Sequence, residues 1–260
     1  MVGIEKIREY LGGFNANYVI IGGTAYNLNM EEADLQGRAT KDIDMIVVCE
    51  SINTEYIKQF WKFIKEGNYK VCQVNTDNEK IKRSYYRFIE PSDSSFPAYI
   101  ELFSRVLDGI TIPEDSHLVH IKLDEEYLSS FSAILMDDDY YNYAVSHSIG
   151  IQGINVLDKD ALLVLKVKAY LNNRKRKDKG QSVHQEDIDK HKKDVYRLSF
   201  LFTGEERYEV SENIKVDLRN FLKALENNPI STKAISKSMG LAEFTIRDFV
   251  QRIEKIFVLR

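Results

Sequence analysis

Tyr18-Val19-Ile20-Ile21-Gly22-Gly23 and, after a polar connection, Thr40-Lys41-Asp42-Ile43-Asp44-Met45-Ile46-Val47-Val48 are the segments that decide how the rest of the chain reads. The first is an apolar run of strand length, rich in β-branched residues. It stops at two glycines, where the backbone turns sharply and a ligand can approach without meeting a Cβ. The second opens on carboxylates and continues as a buried-strand pattern. Residues two apart in a strand share a face, so Asp42 and Asp44 project together while Ile43 points into a core. Adjacent carboxylates repel unless a cation lies between them, and hard oxygen donors suit Mg²⁺. A glycine turn that cradles phosphates, beside a carboxylate pair that holds Mg²⁺, is a kit for nucleotide chemistry. The plainer alternative is two surface aspartates after an ordinary turn.

Upstream, Ile4, Ile7 and Leu11 recur at helical spacing up to Gly12-Gly13, a glycine C-cap pattern. That N-terminal helix carries charges throughout and does not read as a signal peptide. A short helix is expected over residues 24–30 and a polar surface loop over 31–36. Residues 53–66 read as a helix whose Phe60, Trp61 and Phe63 belong to the core. Strands are expected at 69–74 and 85–89, with a turn at 75–80 between them.

In Pro97-Ala98-Tyr99-Ile100-Glu101-Leu102-Phe103, alternation puts Tyr99, Glu101 and Phe103 on one face. Glu101 is the lone acid of an apolar strand, and burying an unpaired carboxylate is costly. It needs a reason to be there, and the plainer one is an edge-strand glutamate facing water or paired with Arg105. Residues 117–123, 131–136 and 148–156 read as further strands. Asp137-Asp138-Asp139 between them reads as a solvated acidic loop.

From Asp158 the pattern turns helical. Asp158 serves as N-cap of a helix to Leu171, with Lys166 close to its apolar face. Residues 172–186, NNRKRKDKGQSVHQE, read by composition as a basic loop. A second helix spans 186–202 and contains Asp194. His184 and His191 lack a third ligand at suitable spacing, and His191 reads as structural. Thr203-Gly204-Glu205-Glu206 is a turn before further helices. Residues 229–257 have the look of a helix-turn-helix without an arginine-rich recognition face.

The chain has 260 residues, 43% hydrophobic and 29% charged, enough for a core and too apolar for a disordered chain. A net charge of −4 speaks against a globally basic nucleic-acid coat. Its two cysteines, Cys49 and Cys72, form no CxxC pair, which excludes a disulfide framework and a thiolate metal site. No run is long enough to span a membrane, and cytoplasmic residence is the expectation.

The Ile21-Gly22-Gly23 and Asp42-x-Asp44 pattern resembles the signature of the nucleotidyltransferase superfamily of DNA polymerase β. Its spacer is longer than in the broad signature. Arg38-Ala39-Thr40-Lys41-Asp42-Ile43-Asp44 is similar to the form found in the AbiEii/AbiGii toxin branch. That branch also carries a Leu-Lys-x-x-Ala helix and a later basic-Asp-apolar helix. Leu165-Lys166-Val167-Lys168-Ala169 and Lys193-Asp194-Val195-Tyr196-Arg197-Leu198 resemble these, with the basic loop between them as an insertion.

The resemblance implies Mg²⁺, with Mn²⁺ as an alternative, held by Asp42, Asp44 and Glu101. It implies a nucleoside triphosphate met by Gly22, Gly23, Thr24, Arg38, Thr40 and Lys166. Asp194 would orient that lysine or the nucleotide, and the alternative for the two is an ordinary helix–helix ion pair. The implied activity is transfer of a nucleoside monophosphate to an acceptor hydroxyl, with transfer RNA among the acceptors. The implied role is that of a toxin neutralised by a separately encoded antitoxin, in a type IV, AbiE-like system. The expected fold is α/β (α+β), a nucleotidyltransferase-like mixed sheet with flanking helices followed by a helical C-terminal domain. The domains would be 1–157 and 158–260, the second completing the nucleotide cleft. Two other classes stay open: a retired catalytic scaffold that only binds nucleotide, and a DNA-binding regulator using the C-terminal helices.

Overall fold

Tyr18–Ile21 is a fully buried strand, β1, and Asp42–Val47 is its antiparallel neighbour, β2. Between them the chain forms α2 (Gly22–Glu32), entered directly from β1. The computed structural model describes residues 3–38, 40–71, 86–105, 118–120 and 132–259. These form two units: Met1–Asn27 with Arg38–Leu157, and Leu28–Gly37 with Asp158–Arg260.

The first unit is a mixed sheet flanked by helices. Its strand path runs β3 (Lys70–Val71), β4 (Arg87–Ile89), β5 (Tyr99–Ser104), β2, β1, β9 (Ile154–Leu157), β8 (Ser148–Ile151). β5 runs parallel to β2, and its other edge is shared. β4 pairs antiparallel along Tyr99–Glu101, while β7 (Ser132–Leu135) pairs parallel at Phe103 and Ser104. β6 (Leu118–His120) adds to β7.

The helices α1 (Ile4–Leu11) and α3 (Thr54–Glu66) bury one apolar stripe each. Tyr56, Phe60 and Phe63 of α3 are fully buried, and Phe60 and Trp61 meet Phe88 of β4 edge-on at 5.6 and 5.8 Å. Burying one such ring contributes about 1.5–3 kcal/mol. The tryptophan lies against the core but is itself half-buried.

Several sequence readings need correction. α2 begins at Gly22 and runs through Glu32, so part of the expected loop is helical. Gly12 does cap α1, as expected, but in a right-handed conformation (φ −60°) that leads into a 3₁₀ turn. Residues 148–156 are a hairpin rather than one strand, because Gln152 (φ 50°) and Gly153 (φ 82°) turn the chain back. Asp137-Asp138-Asp139 is no loop: Asp137 caps α4 (Asp138–Ser146), its carboxylate accepting from the Asp139 N–H at 3.1 Å. Acids at an N-cap and in the first turn are where the helix dipole favours them. The expected turn at 75–80, Cys72 and parts of the strands expected at 69–74, 85–89, 117–123 and 131–136 lie outside the described residues.

The second unit is helical. It contains α5 (Lys159–Asp178), α6 (Gln185–Leu198), α7 (Glu212–Asn227), α8 (Thr232–Ser238) and α9 (Ile246–Ile256). Of the basic stretch expected as a loop, residues 172–178 are the last turns of α5, 179–184 connect it to α6, and 185–186 begin α6. Lysine and arginine are good helix formers, and their charges suit a helix C-terminus. Tyr170 packs edge-on against Phe221 at 5.1 Å, joining α5 to α7. Tyr196 on α6 meets Phe249 at 5.8 Å and hydrogen-bonds Ser236 at 3.0 Å, holding α9 and α8 to it. Among the described residues no helix is long and apolar enough to cross a membrane.

Candidate functional site

Strand register brings the acids together. Ile21, the last residue of β1, lies opposite Asp44, and Asp44 lies opposite Glu101 on the other side of β2. Asp42 lies opposite Tyr99. Along β2 Ile43 is buried and its neighbours are not, and along β5 Ile100 and Leu102 are buried while Tyr99 and Glu101 are half-buried. Residues opposite one another in a sheet share a face, with strands about 4.8 Å apart. Asp42, Asp44 and Glu101 therefore occupy one face at the end of the sheet where α2 begins.

Gly22 has φ 70°, in the left-handed region, and a Cβ built on it would overlap the Asp44 carboxylate. Only glycine lets the chain pass this close to that acid. A Cβ on Gly23 would stand 3.3 Å from Thr40 Oγ1 and 3.5 Å from Arg38 Nη2, so both side chains reach the glycine turn. Thr24 is buried and its hydroxyl donates to the Asp42 carbonyl at 2.7 Å, tying the first turn of α2 to the start of β2. The Asp42 N–H donates to Thr40 Oγ1 at 3.3 Å, and the Arg38 N–H to Asn27 Oδ1 at 2.6 Å. The segment carrying Arg38 and Thr40 is thereby fastened along α2.

Glu101 is not paired with Arg105. Arg87, directly opposite on β4, donates from Nε to Glu101 Oε1, and the Tyr99 hydroxyl donates to the same oxygen at 3.1 Å. Burial and the neighbouring Glu101 charge both push the Tyr99 phenol well above its ordinary range, so it stays a donor. Arg105 instead bonds Glu50. Tyr99 was open to discovery from the sequence, because it shares a face with Glu101. Arg87 was not, since no local pattern says which strand will lie alongside.

The donor set suits a hard divalent cation: three carboxylates on one face, one of them lodged where a Cβ on Gly22 would be. Among the described residues no group of three or more His, Cys, Asp or Glu is gathered tightly enough to hold an ion, and Glu101 is engaged by Arg87 and Tyr99.

In the second unit, Lys166 on α5 and Asp194 on α6 are brought together, Nζ to Oδ2 at 3.1 Å, with side chains 5% and 1% exposed. Arg197 Nη1 is 3.7 Å from the other oxygen of Asp194. So enclosed a pair holds α5 to α6, and removing one partner would strand a buried charge. Lys168 bonds Asp217 of α7 at 2.7 Å. His184 stands at the start of α6 and His191 within it.

No family model and no curated protein sequence matches the chain. Among solved structures it is similar to the crystal structure of JHP933 from Helicobacter pylori, with a TM-score of 0.39 and 11% identity, over 98% of this chain and 86% of that one. At that distance no residue role carries across.

Proposed function

We propose that this chain is a Mg²⁺-dependent nucleotidyltransferase, moving a nucleoside monophosphate from a nucleoside triphosphate to an acceptor hydroxyl with release of pyrophosphate. The observation that carries the reading is the closure of the Gly22 turn on Asp44, with Glu101 next to Asp44 in register. It sets a helix N-terminus beside three carboxylates on one face of the sheet.

The first N–H groups of a helix lack intrahelical acceptors and favour an anion. Those of Gly22, Gly23 and Thr24 would take the triphosphate, with the Arg38 guanidinium and the Thr40 hydroxyl beside the turn. Asp42, Asp44 and Glu101 would hold the metal, Mg²⁺ or Mn²⁺. When bound, the ion neutralises phosphate charge and acidifies the attacking hydroxyl. Tyr99 would keep Glu101 oriented as an acceptor for that hydroxyl's proton. Catalysis of this kind is positioning and charge neutralisation more than covalent chemistry.

Lys166 and Asp194 enter as triphosphate-binding and orienting residues through the resemblance alone. An RNA acceptor, transfer RNA first, a separately encoded antitoxin and a cytoplasmic setting rest on the same footing. The test is label transfer. Protein, Mg²⁺ and each α-labelled nucleoside triphosphate are incubated with total RNA, with protein and with buffer, beside Asp42→Ala and Asp44→Ala. Label on RNA or protein with the wild type only is the expected result. Absence of both transfer and Mg²⁺-dependent nucleotide binding would refute the proposal.

A further inference from the structure

Within the proposed site the third acid already has a cation. Arg87 lies opposite Glu101 across the β4–β5 pair, and its Nε donates to Glu101 Oε1, the oxygen that also accepts from Tyr99. We propose that Arg87 is a resident counter-cation: its guanidinium holds Glu101 in the metal-free protein, and a divalent ion binds only by displacing it. Arg87 thereby sets the metal affinity of the site. This rests on reading Asp42, Asp44 and Glu101 as metal ligands.

Three features favour this over an ordinary cross-strand ion pair. An arginine does not lose its proton at any working pH, so it yields to an ion only by moving. The pair is unequal: the Arg87 side chain is 42% exposed and that of Glu101 only 14%. The acid is thus the fixed partner and the long arm the mobile one. Finally, the guanidinium lies 5.2 Å from the centre of the Tyr86 ring, a face on which a displaced cation can rest. With its arginine open to solvent, the pair can be exchanged for a divalent ion held by three carboxylates.

The two roles differ in the sign of one measurement. If Arg87 only fastens β4 to β5, removing it leaves metal affinity unchanged or lower. If it competes with the ion, removing it raises that affinity. Mn²⁺ is titrated calorimetrically into the wild type, Arg87→Gln, Arg87→Lys and Asp44→Asn, without nucleotide. Arg87→Gln is expected to bind Mn²⁺ about tenfold more tightly than the wild type, the size of effect one lost neighbouring charge produces. Arg87→Lys, which keeps the charge, should stay near the wild type, and Asp44→Asn should not bind. Arg87→Met, which keeps an apolar stem without the charge, gives the same rise and stands in if the glutamine variant does not fold. Unchanged or weaker binding by the Gln and Met variants, with binding still lost in Asp44→Asn, would overturn the counter-cation and leave the metal centre. No Mn²⁺ binding by any of the proteins at millimolar concentration would overturn the metal centre and the inference with it.

Discussion

At the α2 end of β2, Glu101 meets Arg87 and Tyr99; beyond its other end, Glu50 meets Arg105 and Tyr141. The same three residue types are assembled in opposite senses. The Arg105 side chain is the more enclosed partner (15% exposed) and Glu50 the more open (44%), whereas Arg87 is the more open (42%) and Glu101 the more enclosed (14%). Glu50 is gripped on both oxygens: two Arg105 nitrogens stand 2.7 and 2.6 Å from Oε1, and the Tyr141 hydroxyl is 2.5 Å from Oε2. That hydroxyl also accepts from the Cys49 N–H at 2.9 Å, and the guanidinium lies 5.4 Å from the Tyr141 ring centre. This is a closed network that fastens α4 to the end of β2. At the other end the arginine holds one oxygen of one acid, while Asp42 and Asp44 share the face. A half-buried acid beside further carboxylates, with its counter-ion the more exposed partner, is an arrangement that favours an incoming cation.

The comparison breaks if the two ends respond alike. Asp44→Asn is expected to lower label transfer about a thousandfold by removing a metal ligand, while Glu50→Gln leaves it within about twofold, a change worth under half a kcal/mol. Gly22→Ala comes next: a left-handed φ and an overlap with Asp44 should destabilise the protein by about 2–4 kcal/mol in denaturant unfolding. Gly153→Ala is the control. Its φ is also left-handed, but the nearest atom to a new Cβ is Arg8 Cδ at 3.5 Å, so about 1 kcal/mol is expected. Equal losses would remove the claim that Gly22 is shaped around Asp44.

Much of this was legible in the sequence, and the reasons are physical. β1, β2 and β5 announce themselves by β-branched runs and period-two alternation, which are local signals. That Asp42 and Asp44 share a face follows from the strand period alone. Which strands lie together does not, because pairing is a long-range choice. From the sequence Glu101 therefore has Arg105, just past the end of its own strand, as its nearest candidate partner rather than Arg87 from the next strand. The α5 and α4 misreadings have a different cause. Charge-rich composition reads as loop, although in NNRKRKDKG the charges suit a helix end and in Asp137-Asp138-Asp139 a helix start. The caps were present in the sequence; composition was weighed above position.

Smaller effects sharpen the contrast. Tyr141→Phe should cost about 1–2 kcal/mol, since the hydroxyl serves the Cys49 N–H and the Glu50 carboxylate together. Tyr99→Phe removes one hydrogen bond to a charged partner and should cost about 1 kcal/mol or less. Both are read by denaturant unfolding, and the order is the prediction. The last effect depends on pH. Burial alone would raise the Glu50 carboxyl, but the Tyr141 hydroxyl and the Arg105 guanidinium outweigh it and hold it below the ordinary value of 4.5. A carboxyl lowered by folding stabilises above its unfolded value, and that contribution fades as pH falls through the folded one. Glu50→Gln should therefore be less stable than the wild type at pH 7, by about 1 kcal/mol or less for so exposed an acid. The gap should close progressively below pH 4.5, the ordinary value. A gap independent of pH would contradict the network.

The most direct measurement is Mn²⁺-induced broadening of assigned amide signals in the full chain. The three-carboxylate face and Glu50 sit at opposite ends of β2, up to about 20 Å apart at the rise of an extended strand, so one titration separates them. The account predicts early loss of the Gly22, Gly23, Asp42 to Asp44 and Glu101 amides, with Ser51 and Tyr141 unchanged, and no such loss in Asp44→Asn. Broadening centred on Glu50, or none at millimolar Mn²⁺, would contradict it.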